Sequence, residues 1–482
     1  MTLRAATSSV PAWLTLVAVA VLLAACAGPP RAPDTGDDAD LTRCATLFAD
    51  TDARVARAGV RDADSAPIAD FPFLRINRLL ASLGTLAADH GRAQQAWLTR
   101  LAALDADGRA MELRALEPRS AARRALRAEL DHCRGVLVQQ LTADAPSVTR
   151  LRAAAQVPDA YSRWQRAFGA YPLAALAARP GIQRLQREEM PRLADLRTPP
   201  SGARAYASPA GVARVTGALP RDALDVPMPE ADTLTALLDA HAPTWIVDTV
   251  SDADRPGRLV REAATLRVDT TQPSVYTYSS FTRFDGRVLL QLNFVVWFSA
   301  RPKSGPFDLL GGPLDGLTWR VTLDPDGRPL IYDTMHNCGC YHLWLPTSRL
   351  RARPAADDDA EPPWIAFTVD GGQRLALRLA AGTHYLREVG PAPSGGAEAL
   401  TAYPYDVLRR LPAGHGRARS VFSADGLIHE SQRLERWVLW PLGVPSAGAM
   451  RQRGHHATAF IGTRHFDDAM AIERYFERAG TR

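Results

Sequence analysis

The chain has 482 residues, 46% of them apolar and 23% charged, which excludes global disorder and leaves room for about two to three domains of ordinary size. The net charge is only +5, and Lys303 is the single lysine, so the basic balance reflects Arg-rich composition rather than a patch built for nucleic acid. HExxH, GxxxxGK[ST] and GxSxG are all missing, which takes the main support from zincin, P-loop NTPase and α/β-hydrolase readings.

At the N-terminus, Arg4 precedes an apolar stretch from Ala12 to Ala25. At about fourteen residues it falls short of the roughly twenty needed to cross a bilayer and has the length of a signal-peptide apolar region. It ends in Leu23-Ala24-Ala25-Cys26, which resembles the lipobox of bacterial lipoproteins. The resemblance implies a signal peptide over 1–25, cleavage before Cys26, and acyl chains such as palmitate on the Cys26 thiol and usually on the new amino group. Ala27, where retained lipoproteins carry Asp, resembles those passed on to the outer membrane. The implied address is the outer membrane, facing the periplasm, with the N-terminal lipid as the membrane contact. Each buried methylene contributes about 0.8 kcal/mol, so several chains hold firmly where one holds marginally. The resemblance covers about the first 28 residues and implies nothing about the body.

Residues 26–40 are rich in Pro, Gly and Asp and read as a flexible tether. From 41 to 196 the pattern is helical: Leu74, Ile76, Leu79, Leu80, Leu83 and Leu86, then Trp97, Leu98, Leu101 and Leu104, return every three or four positions. The Arg, Asp and Glu residues between them read as a solvated face. Six prolines between 199 and 229 mark 197–240 as a linker. In 241–482 the period changes. Asp285-Gly286, Asp326-Gly327, Asp370-Gly371 and Asp425-Gly426 each separate short apolar or β-branched runs and predict four hairpins of an antiparallel meander, a sandwich or barrel. A short helix after Asp467-Asp468 closes the chain. The expected fold class is α+β, a helical domain followed by a mainly antiparallel β domain.

Setting Cys26 aside leaves Cys44, Cys133, Cys338 and Cys340, an even number suited to an oxidising compartment. The economical pairing joins Cys44 to Cys133 in the helical region; two separately buried small side chains are the alternative.

The densest chemistry lies in Tyr332–Pro346, where His336, Cys338, Cys340 and His342 recur at every second residue. On a straight strand all four face one way but span about 20 Å, so one zinc or copper ion can gather them only if the chain folds back at Gly339. Eight of the eleven histidines follow residue 331, which makes His429, His455 and His456 candidate further ligands. A Cys-Gly-Cys pair also suits a strained, exchangeable disulfide, and a static bond or plain core packing accounts equally for the same residues. Asp308, Asp315, Asp324 and Asp333 read as turn residues able to supply a carboxylate, and Tyr276, Tyr278, Trp297, Trp319 and Trp344 as core. Three function classes follow: a binding or accessory protein of the envelope, with protein partners there; a metal- or thiol-dependent enzyme centred on the His336–His342 segment; and a structural partner of an envelope assembly. The missing catalytic motifs favour the first.

Overall fold

A computed structural model describes residues 39–86, 91–196, 202–208, 217–262, 265–354 and 359–480. The expected lipid site Cys26 lies outside the described residues. No helix among them is long and apolar enough to cross a membrane.

The N-terminal part is helical as the periodicity predicts. Helices Ala39–Ala58, Arg92–Leu116, Ser120–Ala143 and Ala145–Ala154 enclose Phe48, Trp97, Leu98, Leu101, Leu137 and Leu151. Cys44 and Cys133 form a disulfide between the first and third of these, with Cα atoms 5.0 Å apart. Closing a loop of 89 residues this way removes unfolded-chain freedom worth about 4 kcal/mol. The helical reading fails at two places: Ala194–Asp195 is a short strand, and Ala66–Ile68 and Phe71–Ile76 pair as an antiparallel hairpin. Pro67 and Pro72 cannot sit inside a helix, and Asp70 takes the positive φ of the turn (64°).

The solvated-face reading of the charges also needs correction. Arg75, Asp105, Arg109, Glu112 and Arg134 are buried, with Arg75 2.7 Å from Glu112 and Arg134 2.8 Å from Asp105. Gly108 belongs to this cluster by necessity, because a Cβ there would stand 2.4 Å from the Arg75 guanidinium.

The β part is a sandwich. Four strands run as an antiparallel meander: β1 (Ser274–Phe284), β2 (Arg287–Arg301), β3 (Gly312–Leu323) and β4 (Pro329–His336). Leu343–Pro346 and then Trp364–Ile365 extend the sheet beyond β4, and Thr401–Pro404 pairs parallel with β1. The turn at Asp285-Gly286 has positive φ at both residues (55° and 72°), the geometry that a two-residue hairpin requires. Asp326-Gly327 closes the β3–β4 hairpin. The other two Asp-Gly signals behave differently. Trp364–Ile365 and Leu375–Leu379, on either side of Asp370-Gly371, belong to different sheets. Asp425-Gly426 makes a tight turn, Ser423 N–H to Leu427 O at 2.9 Å, without flanking strands.

A second, six-stranded sheet covers one face. Its order is Glu398–Ala399, Ala203–Ala207, Thr244–Asp248, Leu375–Leu379, Leu386–Pro391 and Ala194–Asp195. The Pro-rich stretch read as a linker therefore supplies one of its inner strands. Trp245, Val247, Leu377 and Leu379 meet Leu292, Phe294, Val296, Trp319 and Val321 between the sheets. The meander is buried on its other face too: Val295 and Trp297 of β2 pack with Tyr276, Leu408, Ile428 and Met450. Segments from 405 to 476 form that third layer, which is why β2 is buried continuously from Val288 to Phe298 rather than on alternate residues. The sequence-predicted closing helix shrinks to Ala471–Tyr475 and runs on into the strand Phe476–Arg478.

The helical and β parts are joined by buried ion pairs. Arg409 reaches Asp62 at 2.7 Å and Arg453 reaches Asp64 at 2.5 Å.

Candidate functional site

β4 ends at His336, and the chain reverses through Asn337-Cys338-Gly339-Cys340 before Leu343 pairs back onto Thr334. The reversal is rigid. His336 N–H donates to Cys340 O (3.0 Å), Gly339 N–H to His336 O (2.7 Å) and Asn337 N–H to Gly316 O (2.9 Å). The Asn337 side chain accepts from Thr318 Oγ1 (2.7 Å) and donates to Val296 O (3.3 Å). Arg451 Nε holds Cys338 O at 3.1 Å. Gly339 has φ of +97°, and a Cβ there would stand 2.3 Å from Ala457 O, so both backbone and space demand glycine. This bend turns the expected strand row into a turn carrying both thiols. They are free rather than bonded, and each is close enough to shift the other's titration. The Cys340 S–H stabilises a thiolate on Cys338 and lowers its pKa, burial opposes, and Arg433 adds to the lowering. Cys340, donating to Cys338 and buried with it, is pushed well above the ordinary thiol range.

Around the turn lies a set of buried polar groups. Asp315 on β3 faces His384 Nδ1 at 2.8 Å and Arg433 Nη2 at 3.2 Å, with His336 Nδ1 at 3.6 Å. His384 reaches it because its ring lies flat on Phe298 (centroids 3.9 Å apart), the residue paired with Asp315 across β2 and β3. Burial would raise the Asp315 pKa, but Arg433 and the two imidazoles hold it well below the carboxylate range. Burial would neutralise His384, yet Asp254 and Asp315 on either side raise its pKa. His336 is lowered by burial, so its ring is neutral at pH 7, and neither nitrogen has a hydrogen-bond partner. A second set sits behind: Asp333 takes two bonds from Arg320 (2.8 and 2.5 Å) and one from His342 Nε2 (2.9 Å). Burial lowers His342 to about 4.

These groups border a cavity of about 460 Å³. Its floor is His336, Cys338, Cys340 and Tyr341; Arg301, Arg433 and Glu435 stand on one wall. Apolar surface comes from Ile182, Leu185, Trp364, Leu439, Val444 and Phe460, so helix Tyr171–Glu189, the edge of the meander and the third layer all contribute. Arg301 donates to the Tyr385 hydroxyl, which in turn bonds Tyr341. Burial raises Glu435 to about 7 against the pull of Arg433, Arg301 and Arg451. The wall therefore carries two guanidiniums and a carboxyl that titrates near neutrality. Apolar side chains are exposed in the elements that supply the wall: Leu173 and Leu176 on helix Tyr171–Glu189, and Trp437 and Val438 beside Leu439.

The structure thus unites His336, Cys338, Cys340 and His342 around one cavity, but not as a metal centre. His342 is committed to Asp333 and His336 faces Asp315, and among the described residues no group of three or more His, Cys, Asp or Glu is placed to hold an ion. The candidate further ligands go elsewhere. His429 is exposed and pairs with Asp425, His455 bonds Ala63 O, and His456 is buried against Phe466 with both nitrogens unpartnered. Asp308 and Asp324 are turn residues as read, accepting from Gly311 N–H and Gly327 N–H respectively through side chain and backbone. Asp315 and Asp333 are instead buried strand residues. Tyr276, Trp297, Trp319 and Trp344 are core. Sequence reasoning missed Arg301, His384, Arg433 and Glu435, which come from three separate segments; only the run of charges around Arg433 signals any of them. No family model, curated protein or solved structure matches the chain.

Proposed function

We propose that this chain is an outer-membrane lipoprotein facing the periplasm, held through acyl chains on Cys26, that binds a small amphipathic ligand with an acidic head. The observation that carries the binding part is the cavity itself. Its size lies within the usual range for small-molecule sites, and it joins apolar walls to a few converging polar groups. Arg301 and Arg433 would meet the head, and Ile182, Leu185, Leu439, Val444 and Phe460 the apolar body. The exposed Leu173, Leu176, Trp437 and Val438 suit a mouth that takes its ligand from an apolar surface. The lipobox residues Leu23 to Cys26 support the address.

A series of medium-chain carboxylates titrated into the full chain tests the binding. A clear optimum in chain length is expected, with affinity reduced at least tenfold in Leu310→Trp, which fills the cavity from a loop. Affinity that rises smoothly with chain length and ignores the substitution contradicts the reading. For the address, a radioactive fatty acid should label the wild-type chain and not Cys26→Ser; equal labelling of both removes the lipoprotein assignment.

A further inference from the structure

Three features stand out beyond ligand binding: a polar hollow of about 290 Å³ beside Arg409, the unpartnered pair Gln452 and His456, and the two thiols of the Cys338–Cys340 turn. The hollow centres on Arg409 and Asp62, already paired across the domain seam, and holds no thiol and, among the described residues, no metal-binding set; the Gln452 and His456 side chains are shut away in the core. The thiols alone meet a cavity.

We infer that Cys338 and Cys340 form a two-electron dithiol/disulfide couple that exchanges with small-molecule disulfides entering the cavity. Four observations carry this. First, the two thiols stand one glycine apart on a turn that already doubles back, with His336 N–H on Cys340 O at 3.0 Å, so closing them into a ring requires little movement of the turn. Second, the turn is clamped by hydrogen bonds from Asn337 to Gly316 O and Val296 O and by bonds received from Thr318 and Arg451, which fixes the pair in register. Third, two guanidiniums, Arg433 and Arg451, stand close enough to the sulfurs to interact with their charge, opposed by Glu435 when it is ionised, and a thiolate is the attacking species. Fourth, both residues line the cavity, Cys340 the more exposed of the two. A purely structural pair buried in the core needs neither the guanidiniums nor the opening.

The exchange balances as follows. The Cys338 thiolate attacks one sulfur of the entering disulfide, forming a Cys338 mixed disulfide and breaking the disulfide's S–S bond; the other half leaves as a thiolate. Cys340 then loses its proton and attacks the Cys338 sulfur. The Cys338–Cys340 bond forms and the second half leaves as a thiolate. The two departing thiolates take up two protons, one of them from Cys340 and one from solvent. The protein loses two electrons and the small disulfide gains them. Glu435, titrating near neutrality on the same cavity wall, is placed to carry a proton between this site and solvent. Because a ring of this kind is strained, the closed form is itself an oxidant toward small thiols, and the couple runs either way. The inference rests on the cavity being open to small molecules and is independent of the acidic ligand proposed above.

The test uses the full chain and 2-hydroxyethyl disulfide as probe, followed by intact mass and peptide mapping. Wild-type protein should release two equivalents of 2-mercaptoethanol and end with Cys338 linked to Cys340, without a lasting adduct. Cys340→Ser should stop at one hydroxyethylthio group on Cys338. Cys338→Ser should acquire its adduct on Cys340 at least tenfold more slowly. Wild-type protein that keeps a lasting adduct, or that reacts only after denaturation, overturns the couple, and so does a Cys340 adduct that forms as fast as the Cys338 one. The wild-type readout needs no substitution, so a variant that folds poorly does not leave the matter open. Failure of the carboxylate titration with normal exchange here would remove the ligand proposal and leave the couple standing.

Discussion

Two clusters of buried charge in this molecule differ in one respect that separates stability from chemistry. In the helical part, Arg75, Arg109 and Arg134 interlock with Asp105 and Glu112, every charge with an opposite one within 3.4 Å, and no cavity borders them. In the β part, Asp315, His336, His384 and Arg433 are also buried, but His336 has both ring nitrogens unpartnered and Arg433 one nitrogen, and the group opens on about 460 Å³ of space. A buried polar atom without a partner is costly, so such atoms concentrate where something else compensates, usually a ligand or chemistry. The first cluster leaves one such atom, Arg109 Nε, which still faces Asp105 at 3.3 Å. The second leaves four, on His336, His384 and Arg433, beside open space.

The largest expected effect comes from breaking the first cluster. Arg75→Met leaves Glu112 buried without its nearest partner and takes one of three cations from Asp105, and should cost about 3–5 kcal/mol in urea unfolding, while thiol exchange in the surviving native fraction stays unchanged. Glu435→Gln sharpens the contrast from the other side. With its folded pKa near 7, above the unfolded value, Glu435 binds its proton more tightly in the folded state, and stability falls as pH rises from about 4.5 to about 7. The substitution should therefore stabilise the protein by about 3 kcal/mol at pH 8 and hardly at all at pH 4, read from unfolding curves at the two values. A smaller effect concerns His456, whose pKa burial lowers to about 3. The unfolded chain takes up this proton below about 6.5 and the folded one does not, so stability is full above that pH and declines as pH falls toward 3. His456→Phe should remove about 2 kcal/mol of the loss between pH 6.5 and 5, leaving the share due to His342.

How far the sequence announces each region follows from the range of the interactions. The helical part is legible because its periodicity is local, and Cys44 and Cys133 could be paired by elimination. The meander is legible at Asp285-Gly286 and Asp326-Gly327, where the turn chemistry lies between adjacent strands. Asp370-Gly371 misleads because the chain crosses from one sheet to the other there, a tertiary choice that no dipeptide encodes. Pro-rich 197–240 reads as a linker, yet Ala203–Ala207 is a strand because Thr244–Asp248 offers it a partner. Of the site, the Cys338-Gly339-Cys340 turn is visible, since glycine between two soft nucleophiles is a local signal. Arg433 and His384 are invisible, for they reach Asp315 across 118 and 69 residues. The metal reading arose from spacing alone, and spacing does not reveal that Asp333 already binds His342 while His336 turns toward Asp315.

The most direct measurement of the central claim, that the cavity floor carries a reactive thiol pair, is the pH dependence of iodoacetamide alkylation at each cysteine of the native chain, resolved by peptide mapping. Cys338 is expected to react first, with a midpoint below the ordinary thiol value of about 8.5, while Cys44 and Cys133 stay silent. Alkylation of Cys340 ahead of Cys338, or of neither until the protein is unfolded, would contradict the account.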